Sequence, residues 1–322
     1  MECVILPVYL LSSFGTFFTV DNHGLTELIH RERTAVLVVN ARSRSGARYF
    51  YRIYDALQRR GIEVIAAYPV RDPARLLPVT RRAIRQDSHL VVVGGGDGTI
   101  SAVADAFVGT NTVMGVIPLG TGNSSAHTLG IPQSIRRAVD CILRGTVADV
   151  DLGKIGDDYF MNVVSIGLTA ESARRTPDKL KKILGKLAYL IAGSRVVLRH
   201  RPFQCRIRLD GRLISVQARQ VIVANGRYFG ETMLSPEASI QNGQLTIYTV
   251  EETGRWGLFW RLFRFLILRK PGLPGLPPLN ATEVWIDTDP PQPVDIDGEA
   301  MATTPVHLAV APRAVKVLLP GD

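Results

Sequence analysis

The stretch Val91-Val92-Val93-Gly94-Gly95-Gly96-Asp97-Gly98-Thr99-Ile100 decides how this chain is read. An apolar β-branched run drops into three glycines, an acid, a fourth glycine and a threonine. The run predicts a buried strand, and Ile100 to Phe107 predicts the helix that follows it. A strand that turns into a helix through glycines gathers backbone N–H groups and a helix N-terminus around one concavity, the geometry of a phosphate cradle. Glycine permits this because no Cβ blocks the approach. A lone carboxylate in an anion site makes sense when a cation accompanies the anion, so Asp97 predicts a Mg²⁺–nucleotide. A tight turn without a ligand is the plain alternative. The two familiar nucleotide signatures are absent. No Lys-Ser/Thr follows the last glycine, and Thr99 stands where the third glycine of G-x-G-x-x-G belongs.

Working outward, apolar runs alternate with helical patterns. Strands are predicted over 35–40, 62–68, 89–93 and 114–117, with helices over 46–60, 73–86 and 99–108 between them. That alternation implies a parallel sheet with helices on both faces, and such sheets bind ligands at the carboxyl ends of their strands. Three loops leave those ends: Asn40-Ala41-Arg42-Ser43-Arg44-Ser45-Gly46, the glycine loop, and Pro118-Leu119-Gly120-Thr121-Gly122-Asn123. Each alone passes for a connection; together at one edge they point to a shared site.

From about Ala148 the texture changes to strand-like runs separated by turns: 205–209, 213–224, 245–250, 283–287 and 306–310. Two helical stretches, 179–200 and 255–268, interrupt them. This predicts a second, mostly antiparallel β domain. The 255–268 helix mixes aromatics with arginines, which suits a lipid surface or a core helix with snorkelling arginines. Near its end the chain reads Val294-Asp295-Ile296-Asp297-Gly298-Glu299. Asp-Gly is a common hairpin dipeptide, so a plain turn explains it alone. Beside a Mg²⁺–nucleotide loop it also supplies carboxylates near an incoming hydroxyl.

The 322 residues suffice for two domains with real cores. A net charge of +9, from 38 basic and 29 acidic residues, suits phosphate-bearing or anionic lipid partners. No zinc-finger spacing, RNA-binding aromatic signature or long basic block is present, which argues against nucleic acid. The three cysteines, Cys3, Cys141 and Cys205, are far apart and read as core thiols of a reducing compartment. Cys3 to Val20 is uncharged but diluted by polar residues and lacks a basic leader. Residues 1–33 are therefore read as a flexible or loosely docked N-terminal extension that precedes the core and is dispensable for catalysis, with a membrane span or surface anchor over Cys3–Val20 as the alternative.

In order and spacing, Gly95-Gly96-Asp97-Gly98-Thr99, Gly120-Thr121-Gly122-Asn123 and Asp297-Gly298-Glu299 resemble the diacylglycerol kinase catalytic-domain family, with its bacterial diacylglycerol and phosphatidylglycerol kinase-like members and its sphingosine and ceramide kinase relatives. The resemblance runs from about Ala35 to Pro320. It implies an α/β fold: an N-terminal doubly wound parallel-sheet nucleotide domain (34–146), a C-terminal antiparallel β-rich lipid-binding domain (147–305), and the active site in the cleft between them. A strand over about 306–320 is expected to return to the first domain. The implied activity is an ATP- and Mg²⁺-dependent lipid kinase, cytoplasmic and peripheral to the membrane, with room for a homodimer. By the same resemblance Asn40, Ser45 and Gly46 line the nucleotide site. Gly95, Gly96, Asp97, Gly98 and Thr99 hold the phosphates, Asp97 acting through Mg²⁺, and Gly120, Thr121, Gly122 and Asn123 complete the wall. Asp297 matches the general base, Glu299 its partner in the Mg²⁺–water network, and Asn225-Gly226 a motif facing the cleft.

Three positions depart from the family pattern. Ser124-Ser125 stands where Asp or Asn often follows the third loop, and Tyr68-Pro69-Val70 where a nucleotide-contacting threonine often stands. Gln241-Asn242-Gly243 lacks the carboxylates of a structural Mg²⁺ turn, so that metal is not expected. The competing readings are a kinase for a soluble acceptor such as NAD, and a non-catalytic lipid- or nucleotide-binding regulator.

Overall fold

A computed structural model describes residues 21–42, 44–167, 201–229, 232–233, 238–251 and 277–321. The expected helices over 179–200 and 255–268, and the Cys3–Val20 stretch, lie outside the described residues.

In chain order the first part runs α1 (Asn22–Glu32), β1 (Thr34–Asn40), α2 (Arg44–Gln58), β2 (Glu63–Val70), α3 (Leu76–Ile84), β3 (Leu90–Gly95), α4 (Asp97–Phe107), β4 (Val113–Pro118), α5 (Ser124–Thr128) and α6 (Ile135–Arg144). The second part runs β5 (Thr146–Ile155), β6 (Asp158–Phe160), β7 (Val163–Gly167), β8 (Phe203–Leu209), β9 (Arg212–Ala224), β10 (Tyr228–Phe229), β11 (Thr232–Met233), β12 (Leu245–Glu251), β13 (Leu279–Ala281), β14 (Glu283–Asp289), β15 (Pro293–Ile296), β16 (Glu299–Thr303) and β17 (Val306–Leu319).

The N-terminal strands lie in the order 2-1-3-4, all parallel. β3 and β4 are buried along their whole length and β1 along all but its ends, as expected of parallel strands covered on both faces. The order reverses direction between β1 and β3, so the topological switch point falls at the carboxyl ends of those two strands. The register aligns them: Val39 pairs with Gly94, and Gly95 with Pro118. Asn40, the glycine loop and the 119–123 loop therefore leave one edge side by side. α2 begins at Arg44, so Ser45 and Gly46 sit in its first turn rather than ahead of it.

The second part is antiparallel and half exposed. β8 alternates strictly, with Phe203, Cys205, Ile207 and Leu209 inward and Gln204, Arg206 and Arg208 outward. β17 joins the two parts. It pairs antiparallel with β14 and β5, and then parallel with β4 through Lys316 and Val317. Its Val315, Val317 and Leu318 are buried in the core of the parallel sheet, while Val306 and Leu308 belong to a second core formed by β7–β9 and β14.

The extension expected over 1–33 is corrected in its second half. α1 is capped by Asp21, whose carboxylate accepts from the Gly24 N–H (2.7 Å). It sends Leu25 and Ile29 into the parallel-sheet core. Asn22 donates to Asp149 (3.0 Å) and accepts from Lys316 (2.8 Å), and the Thr26 hydroxyl accepts from the Val147 N–H (2.9 Å). Residues 22–32 are part of the folded domain because two apolar residues one turn apart meet the end of β5.

Candidate active site

The glycine loop begins where β3 ends and α4 starts. Gly96 caps α4 with no side-chain bond, and among the described residues the N–H groups of Asp97 and Gly98 donate to nothing. Two free donors at the N-terminus of an eleven-residue helix form a site for anionic oxygen. The glycines are needed for packing. A Cβ at Gly95 would fall 2.3 Å from the Cβ of Thr99, and one at Gly120 would fall 2.8 Å from the Gly96 Cα. The two glycine loops thus touch backbone to backbone.

Side chains fix these loops from both sides. Asn40, the last residue of β1, donates through Nδ2 to the Thr99 hydroxyl (2.9 Å). Asn123 adopts a left-handed conformation (φ 49°). Its carboxamide accepts from the Gly120 N–H (2.8 Å) and donates to the Gly120 carbonyl and to Gln133 (2.9 Å each). Asp97 Oδ1 accepts from both the N–H (2.8 Å) and the hydroxyl (3.1 Å) of Ser125, while its Oδ2 has no partner among the described residues. Ser125, a departure at the level of sequence, thus takes hold of Asp97. Thr121 is exposed at the rim. Tyr68 packs beside the Arg82 guanidinium, 5.9 Å from ring centroid to Cζ.

The second half contributes the Asp297-Gly298 turn. Both residues have positive φ (49° and 97°), and Ile296 pairs with Glu299, so this is a two-residue hairpin of the primed type. The turn also belongs to the site, because Asp297 faces the N-terminal domain. Its Oδ2 accepts from the Ser101 hydroxyl (2.8 Å) and the Met161 N–H (2.8 Å). Its Oδ1 accepts from the N–H groups of Asn162 (3.0 Å) and Val163 (2.8 Å). Burial pushes this carboxyl above the ordinary carboxylate range, and the donors from Val163, Ser101, Met161 and Asn162 oppose that by solvating the anion. Ser101 lies one turn beyond Asp97 on the same face of α4, and residues so spaced sit about 6 Å apart. The two acids that sequence places far apart therefore flank adjacent turns of one helix. The Glu299 side chain lies outside the described residues.

Asn225 is fully buried and donates to the carbonyls of Asp151 and Met161 (2.9 Å each), bracing the turn before β7. Where the Gln241-Asn242-Gly243 turn lacks its carboxylates, buried Asp151 accepts from the Gly243 N–H (2.7 Å) and the Arg313 N–H (2.8 Å). Ser101, Asn162 and Asp151 are site or bracing residues that the sequence reading does not mark, and Ser125, marked there only as a departure from the family pattern, is another. Ser101 was accessible as the i+4 neighbour of Asp97; nothing local marks Asn162. Among the described residues no three His, Cys, Asp or Glu side chains converge as a metal cluster.

Two family models match the chain in succession. The diacylglycerol kinase catalytic domain matches residues 34–155, and the YegS C-terminal NAD kinase beta sandwich-like domain matches 162–319. The probable lipid kinase YegS of Salmonella newport (strain SL254) is 32% identical over 250 residues, spanning 74% of this chain and 81% of its own length. The chain belongs to the diacylglycerol kinase catalytic-domain family. A second relative in this family, the probable lipid kinase YegS of Salmonella paratyphi A (strain ATCC 9150 / SARB42), is 31% identical over the same shares. The family fold is also seen in the crystal structure of a diacylglycerol kinase from Bacillus anthracis str. Sterne. That structure matches with a TM-score of 0.73 at 24% identity, over 89% of this chain and 97% of that one. No helix among the described residues is long and apolar enough to cross a membrane.

Proposed function

We propose that this chain is an ATP- and Mg²⁺-dependent lipid kinase that phosphorylates the hydroxyl of a lipid such as diacylglycerol, working peripherally at the cytoplasmic face of a membrane. The observation that carries the reading is the meeting on α4 of a phosphate cradle from one domain with an acid-bearing turn from the other. The residues fit the nucleotide. The cradle offers free N–H donors, and its glycines let the two loops that form it pack backbone to backbone. They also fit Mg²⁺, which usually takes one or two carboxylates and completes its shell with phosphate and water; Asp97 Oδ2 is free to serve. When bound, that ion would neutralise charge on the phosphate oxygens.

The rest is positioning. Asn40 holds Thr99, and Asn123 holds the facing loop, so the cradle needs little rearrangement when phosphate arrives. The Asp297 turn sets the acceptor side of the cleft against α4. In the transfer the acceptor oxygen bonds to the γ-phosphorus, the bond to the bridging oxygen breaks, ADP leaves, and the hydroxyl proton passes to a base. The names of the Salmonella relatives support lipid as the acceptor class.

The test is transfer from γ-labelled ATP, with and without Mg²⁺, to a panel of lipid hydroxyls in mixed micelles, with NAD as the soluble comparison. Labelled lipid that requires Mg²⁺ is expected. Labelled NAD and no labelled lipid would replace this reading with the soluble-acceptor one, and no turnover of any kind would leave the regulator reading.

A further inference from the structure

A continuous hydrogen-bonded path joins the two acids of the cleft. The Ser125 hydroxyl donates to Asp97 Oδ1 (3.1 Å) and accepts from Asn162 Nδ2 (2.9 Å). The Asn162 main-chain N–H donates to Asp297 Oδ1 (3.0 Å), and the Ser101 hydroxyl closes the path on Asp297 Oδ2 (2.8 Å). The direction is fixed by valence. Ser125 has one hydroxyl hydrogen, the Asp97 carboxylate can only accept it, and so the Asn162 amide must present its nitrogen. The path passes between the two halves of the molecule twice, at Ser125–Asn162 and at Ser101–Asp297.

Asn162 is the hub. Its carbonyl accepts from the N–H groups of Asn225 (2.8 Å) and Gly226 (3.0 Å), so every polar group of its main chain is engaged. Gly226 leaves room for it: a Cβ there would stand 3.3 Å from Asn162 Oδ1 and 3.0 Å from the Thr128 hydroxyl. Asp297 is equally committed. An ionised carboxylate offers about four lone-pair positions, and four donors fill them. A base must meet the proton that it removes within hydrogen-bond reach, and among the described residues four protein donors already hold the carboxylate of Asp297.

On the lipid-kinase reading given above, we propose that Asp297 is a positioning residue rather than the proton acceptor. It acts through Asn162 and Ser125, which hold Asp97 at a fixed distance from the acceptor side of the cleft. Mg²⁺–nucleotide affinity in one domain is then set partly by an asparagine in the other.

Two measurements test this. The first needs no lipid: Mg²⁺–mant-ATP titration of the full chain, Ser125→Ala, Asn162→Ala and the double variant, with circular dichroism melts as the folding check. Each single change is expected to weaken binding about 5–10-fold, the worth of one lost hydrogen bond. The double variant should be no weaker than the weaker single one, because both changes break one path. Losses that multiply, or an Asn162→Ala variant that binds as tightly as the parent, overturn the bridge. The second is the pH dependence of transfer in Asp297→Asn and Ser101→Ala. The acidic limb should persist in the residual activity of Asp297→Asn. If that variant does not fold, Ser101→Ala decides. A lost donor raises the pKa of the carboxylate that it served, so a limb that moves to higher pH makes Asp297 the base and overturns the assignment. A slower rate with an unmoved limb supports it. A parent chain that binds mant-ATP but labels no lipid refutes the kinase reading and leaves the binding cycle to judge the bridge.

Discussion

Gly120→Ala puts one methyl group where the two glycine loops touch. Its Cβ would stand 2.8 Å from the Gly96 Cα and 2.7 Å from Asn123 Oδ1. Non-bonded carbons rest at about 3.5–4.0 Å, so the loops must part by roughly 0.7–1.2 Å. Neither neighbour yields easily. The first is backbone, and the Asn123 carboxamide is tied to Gly120 itself and to Gln133. A displacement of about 1 Å in a positioned site costs on the order of 10²-fold in rate, equivalent to about 2.7 kcal/mol. Overpacking of this kind costs folding about 1–3 kcal/mol, and the contact lies outside both cores, so the variant should stay folded. The assay is kcat and KM for ATP in mixed micelles, run beside a thermal melt. A folded Gly120→Ala variant with a rate within about threefold of the parent would refute the claim that the contact between the loops sets the phosphate cradle.

Leu25→Ala should cost about 2–5 kcal/mol by urea titration with an unchanged m value, and a chain starting at Arg33 should aggregate; a change below about 1 kcal/mol would return α1 to the status of an extension. Burial pushes the Asp149 carboxyl up, but Lys316 and Asn22 more than offset this, and it ends below the usual carboxylate range. Its contribution is therefore fully present above about pH 4 and lost as pH falls through the lowered folded value. Lys316→Met should cost about 1 kcal/mol at pH 7, and a penalty that does not shrink toward pH 3 would dismiss the pair. Burial pushes the Cys141 thiol up to about 11 and the Cys205 thiol, with a smaller push from Asp287, up to about 12. At pH 8 iodoacetamide should label neither until urea is added, and rapid native labelling of Cys205, read by peptide mass spectrometry, would contradict its burial.

What could be read in the sequence follows from how local each cause is. β1, β3 and β4 announce themselves because burial on both faces demands unbroken apolar runs, and β8 because burial on one face demands alternation. The Asp297-Gly298 turn was visible as a hairpin because primed turns select that dipeptide; that it also reaches Ser101 depends on how the two halves meet, which no dipeptide encodes. α1 escaped for the same reason. Only Leu25 and Ile29 mark its buried face, and its polar anchors, Asp149 and Lys316, come from distant parts of the chain. The helical pattern was expected to begin at Gly46, whereas α2 begins two residues earlier. Asn162 shows the limit: its role comes from four partners on three different segments.

β17 has a consequence for biosynthesis. On the ribosome β1 to β4 emerge early, yet the strand that flanks β4 and fills part of their core is made after everything else described here. Until it arrives, β4 has an open edge and the hydrophobic layer beneath it lacks Val315, Val317 and Leu318. Open strand edges are where nascent chains pair wrongly. A transcript cut short between α6 and β17 would therefore yield a chain that carries every glycine of the phosphate loops but cannot complete the sheet that presents them. Such fragments should be cleared by proteolysis rather than accumulate as nucleotide-binding competitors of the finished protein.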